Sequence, residues 1–172
     1  MRFAPPPHLL AYLRRTFLLD WRGIHGAPHW QRVHENGLRL ADETGADAEV
    51  VVLFAYLHDH KRESDGYDPD HGLRAALVLP SLDLGLEPRR LGLLQAACRG
   101  HTHDRTHEDV TVRTCYDADR LDLGRVGIRP DPARLCTPTA RDPALIAWAW
   151  RRSRGLSPSP PRAEPPETNE PT

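Results

Sequence analysis

Val50-Val51-Val52-Leu53-Phe54-Ala55-Tyr56-Leu57-His58-Asp59 is the stretch on which the fold of this chain turns. Its first eight residues are apolar on every side, so whatever element they form lies buried. Composition alone allows a buried strand or a central helix. Just upstream, Asp47 sits where an N-cap belongs, with Glu49 in the first turn, which is how a helix begins. The run ends on an adjacent imidazole and carboxylate. Desolvated groups of that kind need partners, and a divalent cation satisfies both together. In isolation the pair also reads as a hydrogen-bonded cap on a helix end.

Outward from this stretch the pattern is helical. Upstream, a helix is expected from about Pro28 to Thr44. Pro28 opens it, Gly45 lies beyond its end, and Trp30, Val33, Gly37, Leu40, Ala41 and Thr44 recur at three- and four-residue steps. Before it, Leu9 to Trp21 forms a further candidate after Pro5-Pro6-Pro7. Downstream, a polar loop from Arg62 to Asp68 leads to expected helices over Asp70 to Leu79, Glu87 to Arg99 and His107 to Leu123. Asp131 to Leu135 reads as a single turn, and Ala140 to Arg154 as a last helix whose Trp148 and Trp150 need a surface to cover them. No strand alternation, internal repeat or Gly-rich phosphate loop is present, so the class expected is all-α. Residues 1–156 read as one helical domain with its chemistry between about 24 and 128. Residues 157–172 carry no large apolar side chain and read as a disordered, Pro-rich tail.

Composition narrows the function classes. The 172 residues carry a formal net charge of −1, which argues against nucleic acid as the main partner. Cationic charge is almost wholly arginine, with Lys61 the one lysine. Cys98, Cys115 and Cys136 are odd in number and widely spaced, which fits reduced thiols in a cytoplasm better than a disulfide framework or a zinc knuckle. The apolar stretch from Leu9 to Leu19 is interrupted by Arg14 and Arg15, so neither a signal peptide nor a membrane span is expected.

Ten histidines is a high number for this length, and their placement carries more than the number. His29 stands upstream of the apolar run in Pro28-His29-Trp30-Gln31-Arg32-Val33, and Cys115-Tyr116-Asp117-Ala118-Asp119-Arg120-Leu121-Asp122 lies downstream. His34 is a second upstream candidate. At the downstream end, Asp117 and Asp119 are two residues apart and point about 200° from each other on a helix, so only one can face a common site. Val112, Cys115, Asp119 and Asp122 fall at three- and four-residue steps and share the other face.

The order His29-x-x-Arg32-Val33, then Leu57-His58-Asp59 after an apolar run, then Asp117-Ala118-Asp119-Arg120-Leu121-Asp122 resembles the HD superfamily of metal-dependent phosphohydrolases. The resemblance spans about His29 to Gly127 and is similar in layout to small stand-alone bacterial HD proteins. It implies an all-α HD-domain bundle and makes the apolar run a buried helix. It also implies a divalent metal held by His29, His58, Asp59 and Asp119, selecting His29 over His34 and Asp119 over Asp117. Manganese, iron, magnesium, cobalt and zinc all fit such a donor set. Related enzymes with a second metal draw extra histidines from the intervening helices, which makes His71 and His101 candidates for a second ion or for substrate phosphate. Asp122, one turn beyond Asp119, is expected to brace a ligand from behind. His103 and His107 are expected in solvent, and His25 is given no role.

The function implied is a hydrolase of phosphate mono- or diesters acting on a nucleotide or another small phosphorylated molecule. Asp59 would ligate the metal, and arginines would clamp phosphate oxygens with forked donors. Among Arg32, Lys61, Arg62, Arg99 and Arg120, Arg62 is the first choice for catalysis because it stands a turn beyond His58-Asp59. The loop 62–68 and the segment 101–107 are expected to shape the pocket mouth. Two other readings share the fold: a di-iron oxygenase using His71 and His101 for its second metal, and a non-catalytic metal- or ligand-binding protein.

Overall fold

A computed structural model describes residues 4–156. The expected tail at 157–172 lies outside them. Among the described residues there are seven α-helices and no strands: α1 (Pro7–Thr16), α2 (Ala27–Thr44), α3 (Ala48–Leu57), α4 (His71–Val78), α5 (Pro88–Gly100), α6 (Val110–Arg120) and α7 (Pro143–Ser153). Short 3-10 turns at Leu123–Val126, Pro132–Arg134 and Thr139–Arg141 connect α6 to α7.

The apolar run is α3, and it is the axis of the bundle. Every residue from Val50 to Leu57 is buried, with α2, α5 and α6 packed around it. A helix apolar on all faces can only be stable when neighbours cover all of them. Its approach to α2 is close enough that a Cβ at Gly37 would collide with the Val51 side chain, so position 37 has room for glycine alone. Asp47 starts the helix as expected, its carboxylate accepting from the N–H groups of Glu49 and Val50. Arg90 grips the same carboxylate from α5, with Nε and Nη2 donating over 2.7 and 2.6 Å.

That double role makes Asp47 a test of the fold. Asp47→Ala removes the cap and leaves Arg90 without its forked partner, a loss of about 1–2 kcal/mol. The hydrogen bond from Arg90, working against burial, holds the Asp47 pKa below its ordinary value of 3.8. A carboxylate depressed in the folded state contributes stability that is complete above the unfolded value and lost as pH falls through the folded one. Urea denaturation should therefore show the full gap between wild type and variant at pH 7, and a narrower gap once the pH drops below 3.8. Equal midpoints at pH 7 would count against the cap.

Boundaries differ from the sequence reading where tertiary packing decides them. α1 ends at Thr16 rather than at Trp21, because Phe17 turns to extended backbone (φ −72°, ψ 127°). Phe17 and Trp21 then meet Trp30 of α2 edge-on, with ring centroids 4.9 and 5.3 Å away. α6 starts at Val110, where Asp109 caps Thr111, and stops at Arg120, so Asp122 lies past the helix. On α7, the Trp148 ring is covered by two guanidinium groups, Arg39 at 4.6 Å and Arg152 at 4.3 Å.

Candidate metal centre

Five elements bring their ends to one place. α2 contributes His29. The C-terminus of α3 contributes His58 and Asp59, α4 begins with His71, α5 closes on His101, and α6 contributes Asp119. The four imidazoles and Asp59 are buried, at 0–7% exposure. α4 and α5 cross so tightly here that a Cβ at Gly72 would strike the Cys98 carbonyl oxygen and crowd the His101 ring.

The four rings are held in one tautomer. His29 Nδ1 donates to Asp122 Oδ2 at 2.7 Å. His58 Nδ1 donates to the carbonyls of Phe54 and Ala55 at 3.1 and 3.2 Å. His71 Nδ1 donates to the Asp68 carbonyl at 2.5 Å, and His101 Nδ1 to the Cys98 carbonyl at 2.8 Å. With the proton on Nδ1, each neutral ring presents an Nε2 lone pair to the interior. Those lone pairs face each other: His29 Nε2 is 3.0 Å from His58 Nε2, and His71 Nε2 is 2.9 Å from His101 Nε2. Two acceptors at that distance repel unless a cation or a donor lies beside them; the Thr102 hydroxyl, 3.3 Å from both His71 Nε2 and His101 Nε2, can donate to only one of the second couple.

Asp59 joins the two pairs. Its Oδ2 is 3.5 Å from both His29 Nε2 and His58 Nε2, while Oδ1 is 3.1 Å from His71 Nε2 and 3.7 Å from His101 Nε2. Asp119 Oδ1 reaches within 3.4 Å of His29 Nε2 and is a buried oxygen with no hydrogen-bond partner. Three overlapping donor groups result: His29, His58 and Asp59; His58, His101 and Asp119; Asp59, His71 and His101, the atoms of each lying within 4.8 Å of one another. Imidazole nitrogen with carboxylate oxygen, all aimed inward and lacking protons to share, is a donor set for a divalent transition metal. The residues fit the ion.

Ionisation follows the same logic. Burial lowers the His58 pKa to about 3, so the ring stays neutral. For His101 burial works against protonation, but the bond to Asp59 and the charge of Asp119 outweigh it and raise the pKa. Burial likewise opposes charge on Asp59 and Asp119. The surrounding imidazoles for Asp59, and Arg125 with the imidazoles for Asp119, overcome it and keep both carboxylates ionised. Both carboxylates are thus ionised oxygen donors beside the imidazoles.

Comparison with solved structures now identifies the architecture. The chain matches a predicted HD superfamily hydrolase from an uncultured Thermotogales bacterium, with 27% identity, 81% of this chain and 82% of that chain covered, and a TM-score of 0.61. The match supports membership of the HD superfamily. No protein-family model and no curated protein matches it. An HD fold together with a buried His/Asp cluster fits a metal-dependent hydrolase of the HD type.

The remaining sequence candidates fall into distinct places. Asp122 accepts from His29 and is itself clasped by Arg32, whose Nε and Nη2 donate over 2.6 and 3.0 Å, so the arginine of His29-x-x-Arg32 fixes the brace behind the histidine. Arg62 Nε donates to Asp59 Oδ1 at 3.2 Å, and its Nη1 binds the carbonyls of Ser64 and Gly66. Arg120 is a staple rather than a substrate ligand, donating to the carbonyls of Asp104, Arg105 and Arg134. Lys61 lies over the Tyr12 ring and Arg99 is exposed. His34 pairs with the Tyr56 hydroxyl at 3.0 Å and is not in the cluster. Asp117, on the face of α6 away from Asp119, is fully buried. It accepts from the N–H groups of Cys136 and Thr137 and from the Thr137 hydroxyl.

Three features went unread in the sequence. His25 is buried, lies 6.4 Å from the His29 ring, and donates to Asp65 at 2.8 Å, tying the turn before α2 to the loop 62–68. Nothing local in the sequence marks it. A cavity of about 630 Å³ opens above the cluster, and beside Arg62 and the segment 102–105 its wall is formed by residues 123–135. Arg125 on that wall reaches 3.7 Å from Asp119. The arginine density of 120–134 was the available signal.

Proposed function

We propose that this HD protein hydrolyses the phosphate ester of a small molecule, a nucleotide or another phosphorylated metabolite, as a monoesterase or a diesterase. The observation that carries the reading is the pair of facing imidazole couples joined by Asp59, placed at the floor of an arginine-lined cavity. His29, His58, Asp59 and Asp119 would hold one divalent ion, and Asp59, His71 and His101 a second. A bound divalent ion offsets the charge of the ester and makes water a competent nucleophile near neutral pH.

The chain's own groups supply the rest. Asp122 and the backbone carbonyls around the centre keep each Nε2 free of a proton and aimed inward. Arg62 fixes the rotamer of Asp59 and lines the cavity, so its remaining donors border the ester. Arg125 places a guanidinium next to Asp119 on the opposite side, where it meets developing negative charge on phosphoryl oxygens. Small substrates rather than nucleic acid suit a net charge of −1. A cytoplasmic protein fits three free cysteines, and no described helix is long and apolar enough to cross a membrane.

The same bridged histidine set would also suit a di-iron oxygenase, and the second couple, His71 with His101, is what favours that alternative. The arginines of the cavity favour a phosphate. Elemental analysis of protein purified without chelator, followed by a phosphate-ester panel with added Mn²⁺, Mg²⁺ or Fe²⁺, separates the readings. We expect bound divalent metal, and phosphate release that chelator abolishes and metal restores. A folded protein that is metal-free and ignores added metal would overturn the proposal. Iron with substrate-dependent oxygen uptake and no phosphate release would favour the oxygenase.

A further inference from the structure

The cavity wall contains more cationic groups than one phosphate at the metal centre can use. Six arginines line it: Arg62, Arg105, Arg120, Arg125, Arg129 and Arg134. In a chain of net charge −1 that is a local concentration, set against four lining carboxylates: Asp59 and Asp119, which belong to the centre itself, and Asp104 and Asp131.

These arginines are not equivalent. Arg62 commits Nε and Nη1 to protein acceptors and keeps Nη2, and Arg120 commits both Nη1 and Nη2. Arg105 uses Nη2 on the Ala133 carbonyl. Arg129 and Arg134 are exposed, and their guanidinium groups make no hydrogen bond or ion pair among the described residues. Between them and the centre stands Arg125. Its side chain is 9% exposed, its Nη1 donates to the Asp122 carbonyl at 3.2 Å and lies 3.7 Å from Asp119, and its Nε is buried with no hydrogen-bond partner. A nearly buried guanidinium keeps an unmatched donor only at a cost, which an incoming anion removes.

The wall is also held in place before any ligand arrives. Arg120 ties the carbonyls of Asp104 and Arg105 to that of Arg134, which fixes the two strips of chain against each other. Asp131 caps the turn Pro132–Arg134 by accepting from Ala133 N–H at 2.9 Å. Asp117 anchors the next two residues, Cys136 and Thr137. Loose surface arginines would lose side-chain and backbone entropy on gripping a ligand, and this scaffold reduces that loss. The lining contains no Phe, Tyr or Trp.

We infer that Arg129 and Arg134 bind a second phosphoryl group of the substrate, distal to the one at the metal centre, with Arg125 between the two. The inference rests on the proposed phosphohydrolase for the first phosphoryl group. It names the substrate class as small molecules carrying two phosphoryl groups, on separate carbons or in one chain.

Steady-state release of phosphate, or of pyrophosphate from ADP, with excess Mn²⁺ tests it on two matched pairs: fructose 6-phosphate against fructose 1,6-bisphosphate, and AMP against ADP. In at least one pair the doubly phosphorylated compound should have a KM lower by about tenfold, equivalent to ~1.4 kcal/mol. Arg129→Ala/Arg134→Ala should raise that KM by about tenfold, with kcat and the monophosphate KM changing less than about twofold, since the lost contacts bind the distal group alone. Equal KM values within both pairs, or a variant that weakens mono- and diphosphorylated compounds alike, would overturn the inference. If no compound is hydrolysed, calorimetric titration of the same protein with the same pairs decides. Tighter binding of the doubly phosphorylated partner, lost in the variant, would uphold the distal site while the hydrolytic reading fails. Equal binding would sink the distal site.

Discussion

Asp59→Asn should empty both halves of the metal centre at once and reduce phosphate release by more than about 100-fold. Changes to groups that merely brace a metal ligand already cost about 10–100-fold in affinity or activity. Asp59 does more, since Oδ2 faces His29 and His58 while Oδ1 faces His71 and His101. An asparagine keeps the shape but removes the charge. It also turns an amide N–H₂ toward either an imidazole couple or the Arg62 Nε, which now donates to Oδ1. One side of the bridge is therefore lost whichever way the amide lies. Elemental analysis and phosphate release measured on one preparation check the result, with circular dichroism confirming the fold. His71→Ala is the matched comparison, because it removes a donor from the second group and leaves His29, His58 and Asp119 untouched. Metal retained at the wild-type level in Asp59→Asn would show that Asp59 does not bridge.

The bundle was legible because its signals are local. Pro28, the Asp47 cap and the three- and four-residue recurrence in α2 are read from a few neighbouring residues. The apolar run was decidable only as buried. That it is a helix followed from the resemblance, since a central helix and a buried strand share one composition. The centre is assembled from residues up to 90 positions apart, between His29 and Asp119, and no spacing rule links them. Phe17 and Trp21 look like the end of an amphipathic helix, and only the position of Trp30 explains why α1 stops early. The arginine wall escaped because 123–135 is built of turns, where no periodicity tells which side chains share a face. For the same reason the partners of Asp117, at positions 136 and 137, could not be foreseen.

Asp117 and Asp119 should separate cleanly, one by stability and the other by metal. Asp117 is fully buried and receives three donors over 2.6, 2.8 and 2.7 Å. Burial pushes its pKa up while those donors pull it back. In Asp117→Asn the single amide oxygen cannot replace both carboxylate oxygens, and the N–H₂ group faces a backbone N–H. Leaving a buried donor unmatched costs about 1–3 kcal/mol, so a net loss near 3 kcal/mol is expected. For a chain of this size that is a fall of about 6–12 °C in Tm. Below that transition the metal content should match wild type, because Asp117 touches the loop at 136–137 and not the cluster. Asp119→Asn should do the reverse. It replaces the carboxylate whose Oδ1 lies among His29, His58 and Arg125 without a hydrogen bond of its own, so metal binding falls while the metal-free protein melts close to metal-free wild type. Calorimetric melting of metal-loaded and metal-free samples, paired with elemental analysis, reads both effects. Loss of metal in a folded Asp117→Asn with full metal in Asp119→Asn would mean that the opposite face of α6 supplies the ligand, and an unchanged Tm in Asp117→Asn would show that the anchor at 136–137 does not depend on its charge.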